Sequence, residues 1–328
     1  MPSGIVGSIH TMTASKRHLP YPYDQDLIGI VTRVKGKRPA TRAALPNDLK
    51  VASYLKAGVT LIERNLGPQD GSGDLEQGVN RPYRSGIKFL TERAVIAEME
   101  RIEPPFLRLK GDGPYRCTWA THDDYVDDLL DFLFHPINYD DQYGAAMQTR
   151  GESLINAETL VDASDHVAFY ELQAICRMSL FRLQLMMAAT ARHDDGIHRA
   201  IARNYTAALE PWKKYYESTI AERGFRLCEG VSLDQFANML AAVIEGFAVR
   251  HLGDPEAGIL GDAPTTGSTT SMLIIAVLNS YLEPANGPRR PALREQFAAV
   301  ENAARGRQVA PCQGRYEPAV AGPGSPAR

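Results

Sequence analysis

The sequence predicts an all-α protein, and three observations carry that prediction. Between Ser164 and Arg250 apolar residues recur three times at the three-and-four spacing of amphipathic helices. No proline interrupts the first of these runs, Asp165 to Arg192, with Val167, Phe169, Leu172, Ile175, Cys176, Met178, Phe181, Leu185 and Met187 among its apolar positions. Ser232 with Gln235 forms a capping-box pattern that opens the third run at Phe236, Leu240, Ile244 and Phe247. The second run, Ile197 to Ile220, lies between the polar His193 to Gly196 and Gly224, where a helix C-cap wants a residue tolerant of positive φ.

Residues 1–42 mix Gly, Ser, Pro and basic residues and read as a mostly disordered basic arm, with Lys16, Arg17, Arg33, Lys35, Lys37, Arg38 and Arg42 against Asp24 and Asp26. Such an arm serves either as a solubilising tail or as a source of phosphate contacts. A smaller helical domain is expected over 43–135. Asn47 or Asp48 caps a first helix with Leu49, Val51, Leu55, Leu61 and Ile62, and residues 68–85 form a Gly- and Pro-containing surface insertion. Thr91 and Glu92 open a second helix, stopped by Pro104 and Pro105.

Two readings stay open for Phe106 to Trp119: a β-hairpin turning at Gly111 to Gly113, or a loop followed by a short helix with Pro114 in its first turn. The helix is preferred because Thr121 then caps another helix, with Tyr125, Val126, Leu129, Leu130, Leu133 and Phe134 on its apolar side. Asp123, Asp124, Asp127, Asp128 and Asp131 line the other face. Residues 135–150 read as a polar connection and Glu152 to Leu160 as a short helix. A larger domain over 136–284 closes with the helix Ser271 to Leu282, and 285–328 reads as a disordered tail in which Pro291 to Ala304 can form a helix.

The 328 residues are 44% hydrophobic and 23% charged, with a formal net charge of −3, as in ordinary globular chains. No run reaches the ~18 apolar residues of a membrane span. Leu19 to Tyr23 contains two prolines and does not make a secretory apolar core, so a cytoplasmic location is expected. Cys117, Cys176, Cys228 and Cys312 are far apart and are expected to be reduced. Enzyme signatures are weak. His193 and His198 are five apart and do not share a helical face, Gly71-Ser72-Gly73 lacks a following phosphate-loop Lys, and Gly-x-Ser-x-Gly is missing. Neither catalysis, a metal nor a cofactor is expected. Asp162, Asp165 and Glu171 near His166 are explained as acids that favour a helix N-terminus.

The run Trp119, Ala120, Thr121, His122, Asp123, Asp124, Tyr125 resembles a junction in the TetR-like transcriptional regulators, where a short recognition helix ends in an aromatic and the next helix is capped by Ser/Thr, a basic residue, acids and an apolar anchor. Thr91, Arg93, Ile96 and Ala97 are similar to the preceding helix of that family. Ala237, Leu240, Ile244 to Phe247 and Gly253 to Pro255 are similar to a late helix of its ligand-binding domain. The resemblance implies a helix-turn-helix DNA-binding domain over 43–135 and a helical ligand-binding and dimerisation domain over 136–284. It further implies a homodimer formed through two late helices, Ser232 to Leu252 and Ser271 to Leu282, and control of DNA binding, usually repression, by a small ligand.

On this reading Pro114 to Trp119 enters the major groove of double-stranded DNA. Tyr115, Arg116 and Thr118 are its candidate contacts, Thr121 and His122 candidate phosphate contacts, and Trp119 packs inward. An apolar ligand is expected among Met178, Phe181, Arg182, Met186, Tyr205 and Trp212, because bundle interiors are common sites and methionine adapts to irregular shapes. Acids outnumber Arg and Lys between Asn47 and Asp140, which leaves much of the phosphate contact to the arm. It also sustains a second reading, a dimeric helical ligand-binding protein without DNA binding.

Overall fold

A computed structural model describes residues 19–36, 39–68, 86–138, 144–190, 194–264 and 267–308. Helices dominate them: α1 Pro39–Ala44, α2 Leu49–Leu66, α3 Glu92–Met99, α4 Gly113–Thr118, α5 His122–Leu133, α6 Gly144–Asn156, α7 Leu160–Arg177, α8 Ser179–Thr190, α9 Asp195–Glu222, α10 Leu233–Gly253, α11 Thr269–Tyr281 and α12 Leu293–Gln308. Short strands β1 Phe225–Leu227 and β2 Leu282–Pro284 pair antiparallel, with Arg226 opposite Glu283. No described helix is long and apolar enough to cross a membrane.

Helix starts follow their side-chain caps. Asp48 accepts from the Lys50 amide, Thr91 from the Ala94 amide and Asp194 from the Gly196 and Ile197 amides, while Thr121 with Asp124 and Ser232 with Gln235 form complete capping boxes. Gly224 has φ +68° just past α9, the left-handed geometry expected there. Phe106 to Trp119 holds α4 instead of a hairpin, with Pro114 in the first turn.

Three expectations change. The apolar run read as Asp165 to Arg192 is broken, because Met178 is extended and separates α7 from α8. Much of the connection read over 135–150 belongs to α6, which begins at Gly144. The arm is packed over residues 19–36: Tyr23, Leu27, Ile30, Val31 and Val34 are buried in one core with α2, α3, α4 and α5. Residues 1–18, the insertion over 69–85 and the tail beyond 308 lie outside the described residues.

That first core is closed by polar clamps. Asp128 is fully buried, in contrast to its expected place on the solvent face of α5, and accepts from the Thr32 and Arg33 amides at 2.9 and 3.1 Å and from Trp119 Nε1 at 2.8 Å. Arg64 forks onto Glu98 at 2.8 and 2.9 Å, tying α2 to α3. The second core lies among α6, α7, α9, α10 and α11. Asp165 on α7 accepts from Ser271 Oγ and the Gly267 amide, which fixes the start of α11. Buried Glu283 receives Arg226 Nε at 2.8 Å and the Arg290 amide at 2.9 Å, so the first residues of the expected tail are held in place.

Candidate functional site

Two places merit attention, an internal cavity and the surface around α4. The cavity, about 1270 Å³ with its mouth included, lies among α7, α8, α9, α10 and α11. Its wall is mainly aliphatic and aromatic. Val167 and Ile175 come from α7, Phe181 from α8, Leu209, Trp212 and Tyr216 from α9, Phe236 and Leu240 from α10, and Ile274 and Leu278 from α11. Trp212 and Tyr216, one helical turn apart, stack at 5.8 Å with planes 24° apart, and Phe236 meets Tyr216 edge-on.

The expected ligand residues divide by helix face. Met178, Phe181, Tyr205 and Trp212 line the cavity, whereas Arg182 and Met186 do not. Arg182 lies beside Cys176, where burial lowers its pKa, and Met186 packs against the first core. The sequence reading missed the polar members of the wall: Ser164, Glu171, Gln184, Thr219 and Glu245. Glu171 is ion-paired with Arg150. Glu245 has no ion pair or hydrogen bond among the described residues, and burial pushes its carboxyl up to about 7. Gln184 hydrogen-bonds Tyr205, whose pKa is raised by burial and by nearby Glu245. The sequence signal for Glu245 was a lone acid within the apolar run Leu240 to Phe247.

Around α4 the expected contacts are only partly available. Tyr115 and Thr118 are buried instead of facing solvent. Tyr115 packs edge-on to Tyr54 at 5.2 Å and to Tyr125 at 5.3 Å, and the Thr118 hydroxyl donates to the Pro114 carbonyl. The reason is geometric: a six-residue helix on α2 and α5 must bury one face, and these residues occupy it. Arg116 is exposed but held by Glu92 at 3.0 Å and Asp112 at 3.2 Å. Thr121 is occupied in its capping box. His122 lies between the Tyr115 hydroxyl, 2.7 Å from Nδ1, and the Leu90 carbonyl, 2.7 Å from Nε2. Both ring nitrogens of His122 are thus engaged within the protein. Trp119 is buried, as expected.

The arm brings a further basic group to this surface. Val34 bridges Trp119 in antiparallel fashion, the Lys35 amide donates to the Thr118 carbonyl at 2.7 Å, and Lys35 Nζ reaches the Arg116 carbonyl at 2.7 Å. Exposed Lys35, Arg93, Arg108, Lys110 and Arg116 surround α4 or precede it in the chain. Residues 100–112 separate α3 from α4, longer than the tight turn of a helix-turn-helix. No family model matches the chain, and neither a curated protein nor a solved structure matches it.

Proposed function

We propose that the chain is a dimeric, ligand-responsive DNA-binding regulator of the TetR-like kind, acting as a repressor. The observation that carries this reading is the double role of α8. Phe181 and Gln184 line the cavity, while Leu183 and Met187 belong to the core that holds the arm, α2, α4 and α5. A ligand that displaces one face of α8 therefore acts on the packing beneath α4 through the other. Arg203 of α9 adds a second connection, pairing at 3.0 Å with Asp131 of α5, which also holds Arg33 of the arm. Ligand and DNA would then select different arrangements of one element, a shift in population.

The dimer reading is supported by α11. Met272 to Leu278 form an apolar run; Ile274, Val277 and Leu278 pack inward, while Met272 and Leu273 are exposed at 62% and 44%. Val249 on the neighbouring α10 is exposed as well.

A second reading, a helical ligand-binding protein without DNA binding, is favoured by the acids Glu92 and Asp112 that occupy Arg116. Selection of genomic fragments by the purified protein at fixed salt separates the two. Enrichment of a discrete site, lost or relaxed in Arg116→Ala, supports the regulator. No enrichment above a control protein overturns it and leaves the second reading.

A further inference from the structure

The chemistry of the cavity wall narrows the class of ligand, an inference resting on the ligand-binding half of the function proposed above. Among the described residues no lysine or arginine lines the cavity, and the two charged side chains on its wall are both carboxylates. Glu171 is neutralised by Arg150, whereas Glu245 faces apolar neighbours with no cation among the described residues. A neutral apolar ligand would strip remaining water from Glu245 and leave its charge uncompensated, and an anion would add repulsion. A cation removes the penalty by pairing with the carboxylate.

The surrounding rings suit the same partner. Tyr205, Trp212 and Tyr216 line the cavity, and aromatic faces attract a desolvated cation more strongly than an exposed one. Elsewhere on the wall, the buried Thr219 hydroxyl has no hydrogen-bond partner and offers one further polar contact.

We propose that the cavity binds a lipophilic organic cation, an aromatic or polycyclic body with a protonated amine or onium group paired to Glu245. The apolar body fills the space between Phe181, Trp212 and Phe236, and the charge supplies selectivity over neutral compounds of the same shape.

Three tetrahedral or near-tetrahedral phenyl compounds separate charge from shape: tetraphenylphosphonium, tetraphenylborate and neutral triphenylphosphine oxide. Isothermal titration of the full chain at pH 8 is expected to show the phosphonium binding more tightly than the oxide, and the borate weakest. Glu245→Gln preserves side-chain volume and should weaken the phosphonium at least about tenfold, as expected for loss of a desolvated ion pair. Its affinity for the oxide should be retained or increased, because the uncompensated charge is gone, and retained binding also shows the cavity intact. Borate binding as tight as phosphonium binding, or unchanged phosphonium affinity in Glu245→Gln, overturns the proposal. Oxide binding without phosphonium binding overturns the cation inference but leaves the cavity as a ligand site. Silence of all three compounds overturns both.

Discussion

Asp128 is a fully buried carboxyl and Glu245 a half-buried one, and their circumstances are opposite. Asp128 accepts from two arm amides and the Trp119 indole, and Arg33 lies 3.4 Å away, so its burial is compensated. Replacement by Ala would leave the buried Trp119 indole and the Thr32 and Arg33 amides without their acceptor, and truncation of a buried hydrogen-bonded charge costs about 3–5 kcal/mol. Urea melts of Asp128→Ala are expected to show that loss, with the arm cleaved by protease before the helices. A melt unchanged within about 1 kcal/mol would remove the clamp assigned to it. Glu245 lacks compensation, and burial raises its pKa from 4.5 to about 7. A carboxyl whose pKa is higher in the fold than in the unfolded chain favours the protonated fold. Its contribution to stability therefore falls as pH rises from about 4.5 through about 7. Glu245→Gln should melt above the parent at pH 8, with the difference shrinking toward pH 5. A constant difference across that range would mean that the carboxyl does not feel its surroundings this way.

At the scale of elements, the crossing of α2 over α5 depends on Gly58. A Cβ added there would lie 2.4 Å from the Tyr125 hydroxyl and 2.5 Å from Leu129 Cδ2, both in a filled core. Gly58→Ala trades slightly better helix propensity for overpacking and is expected to cost about 1–3 kcal/mol in a denaturant titration. Beside α4, Lys35 extends from the arm. On the regulator reading Lys35→Ala should weaken all DNA sites alike and lower the slope of log affinity against log salt by about one. An unchanged slope would remove Lys35 from the phosphate contacts. The caps at Asp48, Thr91, Thr121 and Ser232 were legible in the sequence because each is a local exchange within three residues. The packed arm was not, since its anchor Asp128 is 95 or more residues away. Periodicity also gave no sign of the break at Met178, which contains neither Gly nor Pro. Nor could it say which face of α8 meets the cavity, since that helix is apolar on two sides: Phe181 lines the cavity and Met186 packs against the first core.

Apolar side chains at the start of α11 are left uncovered among the described residues. On α11, Met272 and Leu273 are 62% and 44% exposed, whereas Ile274, Val277 and Leu278 pack inward. Asp165 holds the start of this helix through Ser271 and Gly267, so its outer face is presented by a fixed element. Val249 of α10 continues the patch onto the helix that also carries Glu245. A second copy applying the same two helices would bury the patch in an isologous contact, for which stable pairs need more than about 1,000 Å² in total. The cavity is lined by the inner faces of these helices, through Leu240, Ile244, Ile274 and Leu278, so dimer geometry and ligand occupancy bear on the same two elements. Sedimentation of the purified chain at micromolar concentration is expected to give a dimer. Met272→Glu with Leu273→Glu should give a monomer that keeps its helical circular dichroism, because neither side chain contributes to the buried core. The paired change places two charges on each side of the contact, where desolvation and like-charge repulsion oppose association. A parent protein that sediments only as monomer, or a double variant that remains dimeric, would move the interface away from α11 and with it the route from ligand to DNA.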